Sequence, residues 1–228
     1  GGVGFADEAI DGGLWVDDNL SGTIPVMSVT GEANFSDHGA NRLGASALLQ
    51  GLADGYFVVP ITIGDYLAGQ LGKKVTYDRP EFKQAETEVN ERLDKLLSAK
   101  GSRTVDSFHR ELGRVMWEYG GLTRSAEGLK KAQGLIRDLK QQYWRDVRVL
   151  GTEEEPNQAL DKAGRVADFF ELAELMCIDV LHLHESAGGH YLLEYQTPDS
   201  EAKRHNEELR YVAVGVAAGA RHTALLQV

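Results

Sequence analysis

Arg42 and His38 share one short loop, His38-Gly39-Ala40-Asn41-Arg42-Leu43-Gly44, and Gly31-Glu32 stands just ahead of it. A carboxylate, an imidazole and a guanidinium are therefore gathered in one stretch with spaced glycines. A guanidinium offers a planar fork of donors that meets a carboxylate or phosphate bidentately. Gly39 and Gly44 allow the backbone to approach a ligand closely. The guest that suits this set is an anion. A histidine beside glycine is, taken alone, more often a hydrogen-bonded loop residue than an acid or base. The interest of His38 lies in its closeness to Arg42.

The elements around the loop must position it. Residues 24–30, Ile-Pro-Val-Met-Ser-Val-Thr, are short, apolar and β-branched, which predicts a buried strand delivering Gly31 and Glu32 to its carboxyl end. Leu14-Trp15-Val16 predicts another short strand. Helix-forming composition begins near Ser46, and Pro60 should kink or end that helix before residues 61–71 resume it. Strand, glycine loop and helix start together aim backbone N–H groups and a positive dipole end at an anion or at electron-rich ring atoms. Gly72-Lys73-Lys74 changes the composition and marks a boundary.

Beyond it, four helical stripes follow one another. The first runs from Pro80 to about Lys100, capped by Asp78, with Phe82, Ala85, Val89, Leu93, Leu96 and Leu97 on one face and Gly101 at its end. The second starts after Thr104 and stops at Gly120-Gly121, the third spans about 125–149, and the fourth spans about 157–184. Short connections argue for an antiparallel bundle. Residues 191–195, 209–216 and 222–228 read as two or three antiparallel strands. The fold class is α+β, mainly α, divided into 1–72, a helical bundle over 73–185 and a small β-containing tail over 186–228. Trp15, Trp117 and Trp144 read as core or interdomain anchors.

On these residues the chain resembles the flavoprotein subunit of succinate dehydrogenases and fumarate reductases. The resemblance rests on the 38–44 loop with Gly31-Glu32, and on Asp78-Arg79-Pro80-Glu81-Phe82, Phe108-His109-Arg110-Glu111-Leu112-Gly113, Arg165-Val166-Ala167-Asp168-Phe169 and Glu194-Tyr195-Gln196-Thr197. L-aspartate oxidases share a similar loop; the later motifs favour the dehydrogenase and reductase line. The resemblance implies FAD as cofactor, with Glu32 at its ribityl region and Ala47 and Leu48 at the flavin ring. It implies a C4 dicarboxylate as substrate, gripped by Arg42 with His38 and Ala45 beside it. Many members have serine where this chain has Ala47, so only a backbone contact carries over. Residues 1–72 then correspond to the carboxyl-terminal piece of a flavin-binding domain. The implied partner is the iron–sulfur subunit of a membrane-associated complex, which places the chain in the cytoplasm or peripherally at the inner face of the membrane.

The family's nucleotide fingerprint and catalytic groups lie upstream of this loop, and no catalytic residue is assigned here. Gly2-Val3-Gly4-Phe5-Ala6-Asp7 carries only the first half of G-x-G-x-x-G, with Asp7 in the place of the third glycine, so it is not read as a pyrophosphate cradle. Glu8 stands nearest the place of the family's substrate histidine. The expected function is part of an FAD-dependent oxidoreductase interconverting succinate and fumarate, inactive as an isolated chain. The alternatives are a non-catalytic helical scaffold or subunit-interaction module, and an L-aspartate oxidase-like fragment.

Composition narrows the classes. A net charge of −11 over 228 residues opposes sequence-independent nucleic-acid binding, which needs Lys and Arg to neutralise phosphates. The sign also opposes long-range steering of a dianion, so any dicarboxylate affinity must be local to Arg42. The single cysteine, Cys177, excludes an internal disulfide and cannot ligate an iron–sulfur cluster, and its apolar neighbours predict burial. The longest apolar candidate, residues 56–63 with Pro60, is far short of the roughly 20 residues of a spanning helix, and no signal peptide is read at the start, so no membrane insertion is expected. His182, His184 and His190 near Glu185 are ligand types for zinc or iron, but residues two apart on a helix do not face each other and no His-x-x-x-His pair occurs. No metal is assigned. The resemblance places residues 185–190 at a structural junction, with Ala187 where relatives have cysteine and Leu192 where they have a basic residue. His109 reads as a surface or junction residue on the second helix.

Overall fold

The computed structural model describes residues 13–34, 45–152, 156–187, 189–209, 213–218 and 221–227. The chain divides into two units, one of residues 1–75, 185–191 and 195–205, the other of residues 76–184, 192–194 and 206–228.

In the first unit, the core seen among the described residues is formed by Val16, Leu20 and Val29, against which Met27, Val58 and Val59 pack. The expected strand over 24–30 is absent. Pro25 is followed by Val26 in the left-handed region (φ 69°), and the Met27 N–H bonds back to Ile24 O at 3.1 Å. The chain therefore reverses in a tight turn where β-branched composition alone pointed to an extended run. Ser21 and Ser28 pair antiparallel across this reversal, and only Val29 of the segment is buried. The Leu14–Val16 strand reduces to one parallel bridge between Leu14 and Asn34.

Helix α1 (Ser46–Ala53) passes through a π turn (Asp54–Val58) into α2 (Val59–Ala68). Pro60 neither ends nor breaks this run. A proline ring clashes with the carbonyl four residues back in a regular helix, and the wider i→i+5 turn just before it relieves that clash.

The second unit is helical because its apolar residues keep helical spacing and each helix has a start signal. Helix α3 (Pro80–Ser98) begins with Pro80 at the first position, as the sequence suggests, but Arg79 is the capping position and makes no side-chain cap bond. Asp78 is instead occupied by the Thr76 hydroxyl. The α3 stripe is not uniformly buried: Leu96 is, while Val89 remains 57% exposed. After α3, Gly101 is required by close approach, since a Cβ there would meet the Asp146 backbone. Helix α4 (Val105–Tyr119) is capped by Thr104, whose hydroxyl accepts from the Ser107 N–H, and α5 (Ala126–Asp146) by Ser125, which accepts from Gly128. Asn157 caps α6 (Gln158–His182) by accepting from Ala159 and Leu160 at 3.0 and 3.1 Å.

Leu129, Ala132, Ile136, Leu139 and Tyr143 of α5 face Ala163, Val166, Phe170 and Cys177 of α6 within one core that also holds Phe108 and Leu112 of α4. Each large apolar side chain so buried contributes about 1.5–3 kcal/mol. Pairs Arg137–Glu174 (2.6 Å) and Lys140–Glu171 (2.5 Å) descend α6 as they ascend α5, so these two helices run in opposite directions. The pair Lys162–Asp106 and the ring contact Phe169–His109 ascend both α4 and α6, which run alongside. Short strands β1 (Arg103–Thr104) and β2 (Val147–Arg148) pair parallel at the end of the bundle. Near the carboxyl end, β3 (Ala213–Ala218) and β4 (Arg221–Gln227) form an antiparallel pair with an irregularity between Val216 and Ala217.

Trp144 is half-buried, edge-on to Tyr143 at 5.5 Å and beneath the Lys95 ammonium at 4.1 Å. Trp117, expected as an anchor, is 76% exposed on α4. No helix of the described residues is long and apolar enough to cross a membrane.

Candidate functional site

Residues 31–33 form a single 3-10 turn entered from extended Thr30, with Gly31 in the left-handed region (φ 64°). Only glycine adopts that conformation without strain. The turn closes by the Asn34 N–H donating to Gly31 O at 3.2 Å, and the Leu14 N–H donates to Ala33 O at 3.0 Å. The backbone at Glu32 is therefore fixed on both sides.

The turn is held from one face of α1 and the π turn. Gln50 Nε2 donates to Oδ1 of buried Asn34 at 3.2 Å, and the Gly31 N–H donates to Asp54 Oδ2 at 3.0 Å. Between them Gly31 and Gly51 face each other, each Cα lying 3.6 Å from where a Cβ on the other would sit. Gln50 and Asp54 are four residues apart and so share a helix face. Asp54 is only 7% exposed.

Ala45 precedes α1 in the left-handed region (φ 63°), makes no side-chain cap bond, and accepts from the Leu49 N–H at 3.0 Å. The first turn of α1 carries no acidic residue. The positive end of the helix dipole is thus uncompensated by a carboxylate on the helix itself, which suits an anion or an electron-rich carbonyl edge. Leu48, in this first turn, is 72% exposed.

Of the residues singled out by sequence, Glu32 lies in the 3-10 turn, Ala45 at the helix start and Ala47 and Leu48 in the first turn of α1. His38 and Arg42 lie outside the described residues. Sequence reasoning missed Asn34, Gln50, Gly51 and Asp54, which hold the turn. The available signal was Asp54 itself, a charge set in the otherwise apolar run Gly51-Leu52-Ala53-Asp54-Gly55-Tyr56-Phe57-Val58.

The histidine group forms no such arrangement. The rings of His182 and His184 are 6.5 Å apart and tilted. Buried Glu185 accepts the His205 N–H on Oε2 at 2.6 Å. Among the described residues no group of three or more His, Cys, Asp or Glu side chains could hold a metal ion. At the end of the bundle, burial pushes the Asp179 carboxyl above its ordinary range, opposed by nearby His182 and Arg124. Cys177 is fully buried and free, and burial raises its thiol to about 11, which makes it inert rather than nucleophilic.

The fold has known counterparts. A solved quinol-fumarate reductase with menaquinol molecules matches with a TM-score of 0.77 at 22% identity, over 92% of this chain and 35% of that one. The family described as fumarate reductase flavoprotein C-terminal matches residues 109–225, just over half of the chain. The chain belongs to this succinate dehydrogenase and fumarate reductase flavoprotein family. The succinate dehydrogenase flavoprotein subunit of Bacillus subtilis is 27% identical over 184 residues, 81% of this chain and 31% of its own length. An L-aspartate oxidase of Synechocystis is 24% identical over 209 residues, 85% of this chain and 35% of its own. The chain spans about a third of the length of these curated relatives.

Proposed function

We propose that the chain is the carboxyl-terminal part of an FAD-dependent oxidoreductase that interconverts succinate and fumarate, inactive as an isolated polypeptide. The observation that carries this reading is the Gly31–Ala33 turn clamped to the helix that begins at Ser46 with no acidic residue in its first turn. Those residues fit one edge of a flavin: glycine faces glycine at the turn, and the helix dipole end carries no acidic residue of its own. When bound, FAD supplies the hydride chemistry. Glu32 holds the ribityl side, and the backbone of Ala47 and Leu48 meets the ring. Arg42 anchors one carboxylate of the C4 acid, beside His38 and Ala45. In this organisation residues 1–72 are the flavin-facing piece, 73–185 the antiparallel bundle and 186–228 the tail.

A second feature supports the placement within a larger assembly. Helices α1 and α2 and the π turn between them expose Leu49, Leu52, Tyr56, Phe57, Ile61 and Leu67, and a helical run apolar all round belongs in an interior. The remainder of the flavin-binding domain covers these helices, and an iron–sulfur subunit joins the whole to a membrane from its cytoplasmic side.

Calorimetric titration of the purified chain with fumarate and with L-aspartate tests the reading. Arg42→Ala should weaken fumarate binding by about tenfold to a hundredfold, the worth of a charge-assisted pair, without lowering the melting temperature. Unchanged binding removes Arg42 from the site. Preference for L-aspartate moves the chain to an aspartate oxidase-like function, the reading favoured by the Synechocystis relative. Absence of any dicarboxylate binding leaves the helical scaffold, for which the separate core of the second unit speaks. After incubation with FAD, gel filtration should return a colourless chain. A yellow protein would refute its inactivity through loss of cofactor.

A further inference from the structure

We infer that Asp54 is a positioning residue for the cofactor edge, a buried carboxylate that locks Gly31 in its left-handed form and so fixes the backbone from which Glu32 projects. The functional side of this inference rests on the reading of Glu32 as a flavin contact; the clamp itself rests on geometry alone.

A left-handed glycine is the least self-determined link in a chain, because glycine occupies both signs of φ and loses the most entropy when fixed. Nothing steric decides the matter at Gly31: the nearest atom to a hypothetical Cβ is the Gly51 Cα at 3.6 Å, an ordinary contact. What singles out the observed conformer is the direction of its N–H, which points to Asp54 Oδ2 at 3.0 Å. A backbone donor bonded to a carboxylate makes a charge-assisted bond, stronger than one between neutral groups.

The position is an expensive one for a carboxylate. Asp54 is 7% exposed, at the first residue of the π turn, where the neighbouring sequence is apolar. An alanine or leucine there would avoid the desolvation cost. The compensation visible in the structure is the Gly31 bond, and it acts alongside Gln50 on Asn34, so both ends of the turn are tied to one helix face. Loss of the Asp54 tie leaves the Asn34 end anchored and removes the charge-assisted restraint on the Gly31 N–H, which loosens the backbone next to Glu32.

The test uses the full chain. Hydrogen exchange followed by NMR reads the Gly31 amide in wild type, Asp54→Ala and Asp54→Asn, with the α5 amides as internal reference. Asp54→Ala should accelerate Gly31 exchange by about tenfold to a hundredfold while the α5 amides hold. Asp54→Asn keeps an acceptor oxygen and should restore most of the protection. Unchanged Gly31 exchange in Asp54→Ala, or an Asn variant no better than Ala, overturns the clamp. The functional arm is an equilibrium fluorescence titration with riboflavin. Asp54→Ala should weaken binding about tenfold in the wild-type background and have no further effect in Glu32→Ala, as befits a residue acting through another. Additive losses overturn the positioning role. If wild type binds no riboflavin, the flavin reading of Glu32 fails, and the Gly31 amide alone decides the clamp.

Discussion

Tyr143 is the residue on which the helical unit can be tested most sharply. Its ring is fully buried between Phe108 (5.1 Å) and Phe170 (5.4 Å), and its hydroxyl donates to Ala163 O at 2.7 Å. Tyr143→Phe removes only the hydroxyl. The Ala163 carbonyl sits inside α6 and keeps its place in the helical ladder, so no buried acceptor is orphaned and the cost is about 1 kcal/mol. For a chain of this size that is a melting temperature lower by roughly 2–4 °C. Tyr143→Ala removes the ring from the centre of the core and should cost about 3–5 kcal/mol. The two variants separate hydrogen bonding from packing.

The alkaline limb supplies an independent signature. Burial pushes the Tyr143 phenol well above its ordinary value of 10.0, with Arg92 opposing and Asp168 adding. The folded chain thus keeps a proton that the unfolded chain gives up above about pH 10. Stability from this group is fully present below that pH and falls as pH rises, with a slope of up to about 1.4 kcal/mol per pH unit. Urea melts between neutral pH and pH 11, read by tryptophan fluorescence with Trp144 against Tyr143, should show this slope in wild type and its loss in Tyr143→Phe. Parallel alkaline limbs, or a Phe variant as unstable as the Ala variant, would refute both the burial of the hydroxyl and the assignment of Tyr143 to the centre of the core.

Two further outcomes follow from other positions. Gly113 and Gly134 lie within α4 and α5 with open space where a Cβ would stand, so Gly113→Ala and Gly134→Ala should each stabilise the chain by about 0.5–1 kcal/mol in urea melts. The Ser102 N–H, 2.8 Å from Asp146 Oδ1, holds the Asp146 carboxyl below its ordinary range. Its contribution is present above about pH 4 and lost as pH falls further, so Asp146→Asn should flatten the decline in urea midpoint between pH 5 and 2, and an unchanged acid limb would contradict it.

The helical unit was legible because each helix advertises itself twice, by an apolar stripe and by a punctuating residue. Thr104, Ser125 and Asn157 cap as their chemistry demands. Asp78 misled because a nearer hydroxyl, Thr76, takes its oxygen. Residues 24–30 misled for a different reason: β-branched composition describes what a segment prefers when paired, and a left-handed Val26 after Pro25 leaves nothing to pair with. At the candidate site, the turn and the helix start were legible from glycine and composition. The ties from Gln50 and Asp54 were not, because they join residues 16 and 23 positions apart, and single-sequence periodicity carries no such pairing.

The π turn between α1 and α2 has a geometric consequence for reading this part of the chain. One residue added to a helix rotates everything beyond it by about 100°. A helical wheel drawn through residues 46–68 as one cylinder therefore superposes two faces that point in different directions. Leu48 and Leu52 belong to one phase, Ile63 and Leu67 to the other. The segment offers apolar surface around more of its circumference than either helix would alone. A surrounding structure that covers it must wrap it on more than one side, as a socket does, and a single flat surface laid along it would leave one of the two phases wet.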